Sequence, residues 1–228
     1  MNTPDHIIQR TFAEVDRLLR PASLAEVGGF RPPPDPVSSW FGGHFVGAHE
    51  EQWPTSRGKL MLPLLQIRID ELPYVPPGLD GIALLNVFID AEELPVDTPN
   101  GDGWLIRTYP SIDSLHPLIP PLLTGQVKTF PVRWTLATRE APQRGDVWEI
   151  LAATGFDQLE HDIELFSERY SRSYGTKVGG WPSYIQGEPA VTDEFVFQIG
   201  SEAKAHWAWG DAGIGYFYRT RAGEWSLY

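Results

Sequence analysis

The chain has 228 residues, 42% of them hydrophobic, which suffices for a sizeable core and is too apolar for a disordered chain. It contains no cysteine, which rules out a disulfide framework and thiolate metal sites, and its formal charge of −12 disfavours direct contact with nucleic-acid phosphates. No basic-then-apolar leader is visible and no apolar run approaches the ~20 residues that cross a bilayer, so the expectation is a cytoplasmic protein with no membrane partner.

Residues 4–20 carry Ile7, Ile8, Phe12, Val15, Leu18 and Leu19 at helical spacing, and Pro21 stops the run. The stretch GGFRPPPDPVSSW (28–40) is too proline-rich for regular structure and reads as an extended connector. Residues 1–39 are therefore predicted as a helix and connector, with the helix packed on one α+β domain over 40–228. The apolar runs KLMLPLLQIRI (59–69) and DGIALLNVFID (80–90) read as strands joined by the proline-stiffened DELPYVPPGL. Residues 90–110, DAEELPVDTPNGDGWLIRTYP, read as a turn-rich loop. The run DVWEILAA (146–153) leaves its element open. Leu159, Ile163, Phe166 and Tyr170 give 155–175 an amphipathic helical pattern, and DEFVFQIGSE (193–202) and GIGYFYRTR (213–221) close the chain as strands.

Two sets of residues recur in the same order. Gly42-Gly43, Trp53-Pro54, Gln66 in LLQI and then DGIALLNVF are matched by Gly179-Gly180, Trp181-Pro182, Gln198 in VFQI and then DAGIGYFY. From each Gln to the following Asp the spacing is close, 14 residues from Gln66 to Asp80 and 13 from Gln198 to Asp211, whereas the gap between Gly-Gly and Trp-Pro differs because the first set inserts HFVGAHEEQ. The recurrence predicts an α+β fold of two similar halves, mainly antiparallel strands with flanking helices, related by a pseudo-twofold through internal duplication. Structural roles follow for these positions: positive φ or close backbone approach at the glycines, ring placement by Trp-Pro, and a buried amide on each Gln that bonds backbone of the other half. Gly213, in GDAGIGYF, belongs to the same structural motif.

The elements KVGGWPSYIQG, FVFQI and WAWGDAGIGYFY, with GKLMLPLLQIRIDELP and LDGIALLNVF earlier, resemble the YwqG-like family, a domain of unknown function, from about Trp40 to Tyr218. The resemblance implies a duplicated α+β fold and no established catalytic residues. Members of that family occur as immunity proteins beside secreted polymorphic toxins, including nuclease toxins delivered by type VI secretion, so it also implies that role as a candidate.

The residues themselves offer little catalytic chemistry. His44 and His49 stand as H-x4-H-E-E, unlike the H-E-x-x-H of zinc hydrolases, and no spacing gathers three ligands. There is no G-x-S-x-G elbow, and GDAGIGYF runs into a strand where a phosphate loop would open a helix. The expectation is a non-enzyme with no metal and no cofactor. Binding is better supported. Between Arg68 and Arg107 no Lys or Arg occurs, while Asp70, Glu71, Asp80, Asp90, Glu92, Glu93, Asp97 and Asp102 do. Asp90, Glu92, Glu93, Asp97 and Asp102, with Trp104 as an aromatic anchor, form the candidate toxin-binding surface. Trp207, Trp209 and Asp211 form a second candidate surface; alternation in a strand puts both rings on one face, where core packing is the expected role and an aromatic ligand platform the alternative. The expected function is an immunity protein that binds a cognate toxin, a DNA-cleaving nuclease, and covers its basic active-site surface. The alternative is a small-molecule or peptide-binding module that uses a groove between the halves.

Overall fold

Val-, Ile- and aromatic-rich segments separated by Gly and Pro should pair as strands, and most of them do. The computed structural model describes residues 3–43, 45–95, 97–119, 127–185, 193–211 and 213–228. Helix α1 (Pro4–Asp16) leads into β1 (Arg20–Val27). The short strands β2 (Trp40–Phe41) and β3 (Val46–Gly47) and the hairpin β4 (Thr55–Ser56) and β5 (Lys59–Leu60) precede β6 (Leu62–Arg68), β7 (Leu84–Ile89) and β8 (Trp104–Tyr109). After β9 (His116–Pro117) come β10 (Phe130–Glu140) and the helices α2 (Trp148–Thr154) and α3 (Asp162–Arg169). The chain closes with β11 (Lys177–Gly179), β12 (Glu194–Gly200), β13 (Ile214–Arg219) and β14 (Trp225–Leu227).

Ten strands make one antiparallel sheet in the order β14-β13-β12-β11-β1-β10-β2-β6-β7-β8. The middle pair is β1 with β10, in which Leu24 faces Thr135 and Val27 faces Val132. The sheet curls until its ends approach. Trp104 on β8 and Phe217 on β13 meet edge to face, with centroids 6.0 Å apart, and one apolar cluster takes in Leu64, Val87, Trp104, Val196, Phe217 and Leu227. The result is a nearly closed, barrel-like sheet. A separate apolar layer joins α1, α2 and α3 through Val15, Leu151, Phe156, Phe166 and Tyr170.

Several expectations change. The first helix ends at Asp16, and 20–27 form a central strand. Pro21 therefore sits inside a strand, which its missing N–H permits because the β1–β10 register is irregular between Arg20 and Ala22. The helix expected over 155–175 is shorter: a 3-10 turn at Phe156–Gln158 and a left-handed His161 interrupt it, and α3 begins only at Asp162. The open run at 146–153 is largely α2, and the loop expected over 90–110 contains β8.

The two glutamines sit in matching surroundings. Gln66 Oε1 accepts from Val46 N at 2.9 Å, and its Nε2 donates to Pro36 O and Ser38 O at 2.9 and 2.7 Å. Gln198 Oε1 accepts from Ser183 N at 2.9 Å, and its Nε2 donates to Gly175 O at 2.9 Å and Ser173 O at 3.4 Å. Each amide binds backbone on its own side of the sheet, not across it as expected. The reason is local: the strand beside each Gln is preceded and followed by irregular chain whose N–H and C=O groups have no ladder partner. Opposite each Gln, the strand partner closes the same loop: Asn86 Nδ2 donates to Val46 O, and Tyr216 Oη donates to Ser183 O.

Candidate functional site

The glycine pairs turn the chain sharply after β2 and β11. Gly42, Gly43, Gly179 and Gly180 all have positive φ. A Cβ at Gly180 would lie 2.1 Å from Glu140 Oε2, and one at Gly43 would lie 2.2 Å from Thr129 Oγ1, so a side chain is barred by space as well as by φ. The Trp-Pro pairs do not occupy equivalent places. Trp181 directly follows Gly180 and donates from Nε1 to Leu18 O, whereas Trp53 lies in the segment before β4, donates to Met61 O and packs against Phe88. Both rings are half-buried and not fully in the core. Gly213 is tightly enclosed, because a Cβ there would stand 2.5 Å from Trp209 O.

Beneath the second glycine turn lies an ion pair that the sequence did not reveal. Lys177, fully buried, donates from Nζ to Glu140 Oε1 at 2.6 Å and to Ser183 Oγ at 2.9 Å. Glu140 also accepts from Ser173 N and Trp181 N, and Ser183 Oγ donates to Ser173 O. Burial pulls the Lys177 ammonium down to about 8, against the attraction of Glu140. A lysine beside a serine hydroxyl has the makings of a nucleophilic pair, but Ser183 and Lys177 are both inaccessible to solvent and every atom named is satisfied internally. Their arrangement holds β10, β11 and the turn together.

The acidic segment is less bare than its sequence implied. Asp90 is mostly buried, and its Oδ1 accepts from the backbone N–H groups of Glu92 and Glu93. The β4–β5 hairpin brings two cations alongside: Lys59 pairs with Glu92, and Arg57 pairs with Glu93 at 2.9 Å and Asp102 at 3.0 Å. Asp97 is exposed and has positive φ. Trp104 is completely buried, with its indole N–H donated to Thr98 O, so it is a core residue and not a surface anchor. It stands opposite Ile89 on β7, and its ring packs on Phe217 inside the main apolar cluster.

The second candidate surface also changes. Trp207 and Trp209 flank an irregular segment and not a strand, sit 5.1 Å apart edge to face, and are only 8% and 9% exposed. They belong to the main apolar cluster and pack in the core, not on an exposed surface. Asp211 beside them is exposed. His49 faces His116 at 5.6 Å, while His44 lies outside the described residues. Among the described residues no group of three His, Cys, Asp or Glu is placed to hold a metal ion. No helix among them is long and apolar enough to cross a membrane.

A pocket of about 780 Å³ lies between the start of α2 and the C-terminal strands. Trp148, Trp181, Phe195 and Tyr218 contribute its aromatic walls, and Arg20 and Asp146 bring opposite charges to it. Arg20 lies flat on Trp181, 3.6 Å from the ring centroid. A smaller space of about 300 Å³ lies where Gly78 and Asp80 meet Arg219 and Gly223. Sequence reasoning missed the larger pocket because Arg20 reads as the tail of a helix and Asp146 as the edge of an ambiguous run. No curated protein matches the chain. The model of a domain of unknown function, DUF1963, matches residues 39–222, from the segment before β2 to the turn after β13 and through both glycine turns and both buried glutamines, and on that match the chain belongs to the DUF1963 family.

Proposed function

We propose that this protein is a cytoplasmic immunity protein that binds a cognate secreted toxin, a DNA-cleaving nuclease, and covers its basic active-site surface without performing chemistry of its own. The observation that carries the reading is the charge on the rim formed by residues 90–102 and the β4–β5 hairpin. Four solvent-accessible carboxylates, Glu92, Glu93, Asp97 and Asp102, with the largely buried Asp90 behind them, stand against two cations, Arg57 and Lys59, which leaves a net excess of acid. A nuclease needs cations to hold phosphates, and an acidic rim is their electrostatic complement. Type VI delivery is consistent with the YwqG-like resemblance and rests on it alone.

Internal duplication is part of the same reading. Its support is the sheet order, which runs outward from the β1–β10 pair as β11-β12-β13-β14 on one side and β2-β6-β7-β8 on the other, and the matched bonding of Gln66 and Gln198. The register agrees in detail: Gln66 faces Trp40 and Gln198 faces Lys177, and each Gln binds Oε1 to the N–H six residues beyond that partner.

Co-expression with the C-terminal domain of a toxin-like protein encoded beside this one tests the function. A stoichiometric complex on a sizing column, with DNA cleavage abolished, is the expected result. Free cleavage with no complex overturns that pairing.

A further inference from the structure

We propose that the pocket between α2 and the C-terminal strands is a binding site for a small zwitterion with an apolar or aromatic side chain, an amino acid or a short peptide with both ends free. The argument starts from two charges of opposite sign that share the pocket without sharing an ion pair. Among the described residues, Arg20 makes no salt bridge and no side-chain hydrogen bond; it stands over the face of Trp181, 3.6 Å away, and feels the nearby charges of Glu194 and Asp146 only through space. Stacking fixes the guanidinium plane and leaves its N–H edge directed outward from the ring, which is the geometry that takes a carboxylate in two parallel bonds. Arg20 is exposed, so a ligand can reach it.

Asp146 supplies the complementary end. One carboxylate oxygen accepts from Gln143 N at 2.6 Å, and no cation pairs with the group among the described residues. Asp146 is half-buried, and loss of water pushes its carboxyl above the usual value despite the Gln143 bond and the charges of Arg172 and Arg20. An ammonium group placed against it would restore what burial removed. Between the two charges the walls are aromatic, and Trp148 is 49% exposed, a large ring left for an apolar side chain to cover. The volume of about 780 Å³ lies within the ~300–1,000 Å³ usual for small-molecule sites.

A purely anionic ligand would leave Asp146 unmatched and face Glu149, Asp193 and Glu194, which also line the pocket, and a purely cationic one, though drawn by these acids, would meet Arg20 with nothing to pair it. A molecule with both charges satisfies both residues. This site is distinct from the acidic rim, so it stands or falls independently of toxin binding.

Isothermal titration and thermal melting of the full chain with L-phenylalanine and with the dipeptide L-Ala-L-Phe test the proposal. At least one of them should saturate below about 10 mM and raise the melting temperature. Amidating the ligand carboxyl or introducing Arg20→Gln should weaken binding about tenfold or more, and N-acetylation or Asp146→Asn should do the same at the other end. Circular dichroism and the ligand-free melting temperature of each variant separate lost binding from lost fold, and Trp148→Ala, altering an exposed ring, gives a third variant that should weaken binding. Absence of saturation by both probes up to about 10 mM overturns the proposal. So does binding in which capped and free ligands, or wild type and Arg20→Gln, are equal.

Discussion

A carboxamide that replaces a missing stretch of ladder bonds is the smallest unit on which this fold depends. Gln66 joins three backbone groups, and Gln198 joins three on its side, of which Ser173 O also accepts from Ser183 Oγ and only Ser183 N and Gly175 O depend on the amide. Replacing either by leucine keeps roughly the volume and strands those groups in a dry environment, at about 1–3 kcal/mol for each group left unsatisfied. Gln66→Leu and Gln198→Leu should therefore each lose about 3 kcal/mol or more in urea unfolding, with the slope against denaturant unchanged. A loss below about 1 kcal/mol would mean that water replaces the amide. Lys177 gives a second residue-scale test through pH. Burial holds its folded-state value at about 8, below the ~10.4 of an unfolded lysine. Between those values the native state has released the proton and the unfolded state still holds it, so this group's contribution to stability rises with pH across that window, and its cost is fully present below it. Subtracting the unfolding free energy of Lys177→Met from that of the parent at a series of pH values should show the rise. A flat difference between about pH 8 and 10 would place the proton on the amine throughout. The substitution itself should cost about 3–5 kcal/mol near neutrality, because it leaves Glu140 buried without its cation.

At the scale of elements, what could be read ahead of the structure depended on how each segment meets its neighbours. The strands β6, β7, β12 and β13 were legible because Leu64, Leu65, Val87, Val196 and Phe217 are buried and their runs are bounded by turn residues. The strand β1 was not, since Pro21, Ala22, Ser23 and Ala25 carry little β signal and gain their place from β10 and β11 on either side. Nor was β10, whose Arg133, Thr135 and Arg139 face outward and dilute the alternation. Arg57 and Lys59 were invisible to a count of charge along the chain because they reach the acidic loop through space, from more than 30 residues away. That pairing shapes the prediction for the rim. Exposed pairs of this kind contribute little to stability, so Glu92→Lys with Glu93→Lys should leave the fold intact. The same double change reverses the sign of the local field. Association with a cognate basic toxin domain should slow by about tenfold or more at low salt and lose much of its salt dependence. Stopped-flow association rates at several ionic strengths measure this, and rates equal to the parent's at low salt would remove the rim from the contact.

For the whole molecule, the question is whether ten strands form an open sheet with two unrelated flanks or a wall bent back upon itself. The ends of the strand order are β14 and β8, and an open sheet would keep their side chains tens of ångströms apart, given about 4.8 Å between neighbouring strands. Instead Trp104 on the edge strand β8 touches Phe217 on β13, next to the opposite edge, and Phe217 stacks in turn on Phe197 at 4.4 Å. Arg219 adds a polar tie across the same gap by donating from Nη1 to Gly78 O at 2.7 Å. Closure in this manner makes strands distant in the sheet order thermodynamic neighbours. Trp104→Ala and Phe217→Ala should each cost about 3–5 kcal/mol as large-to-small changes in a dry core. The informative quantity is their coupling. Residues in contact share an interaction term, and an edge-to-face aromatic pair contributes about 0.5–1.5 kcal/mol beyond burial, so the double variant should be less destabilised than the sum of the singles by about that amount. Additive losses, measured by urea unfolding of all four proteins, would show that the two rings do not meet in solution and that the sheet is open where the structure has it closed.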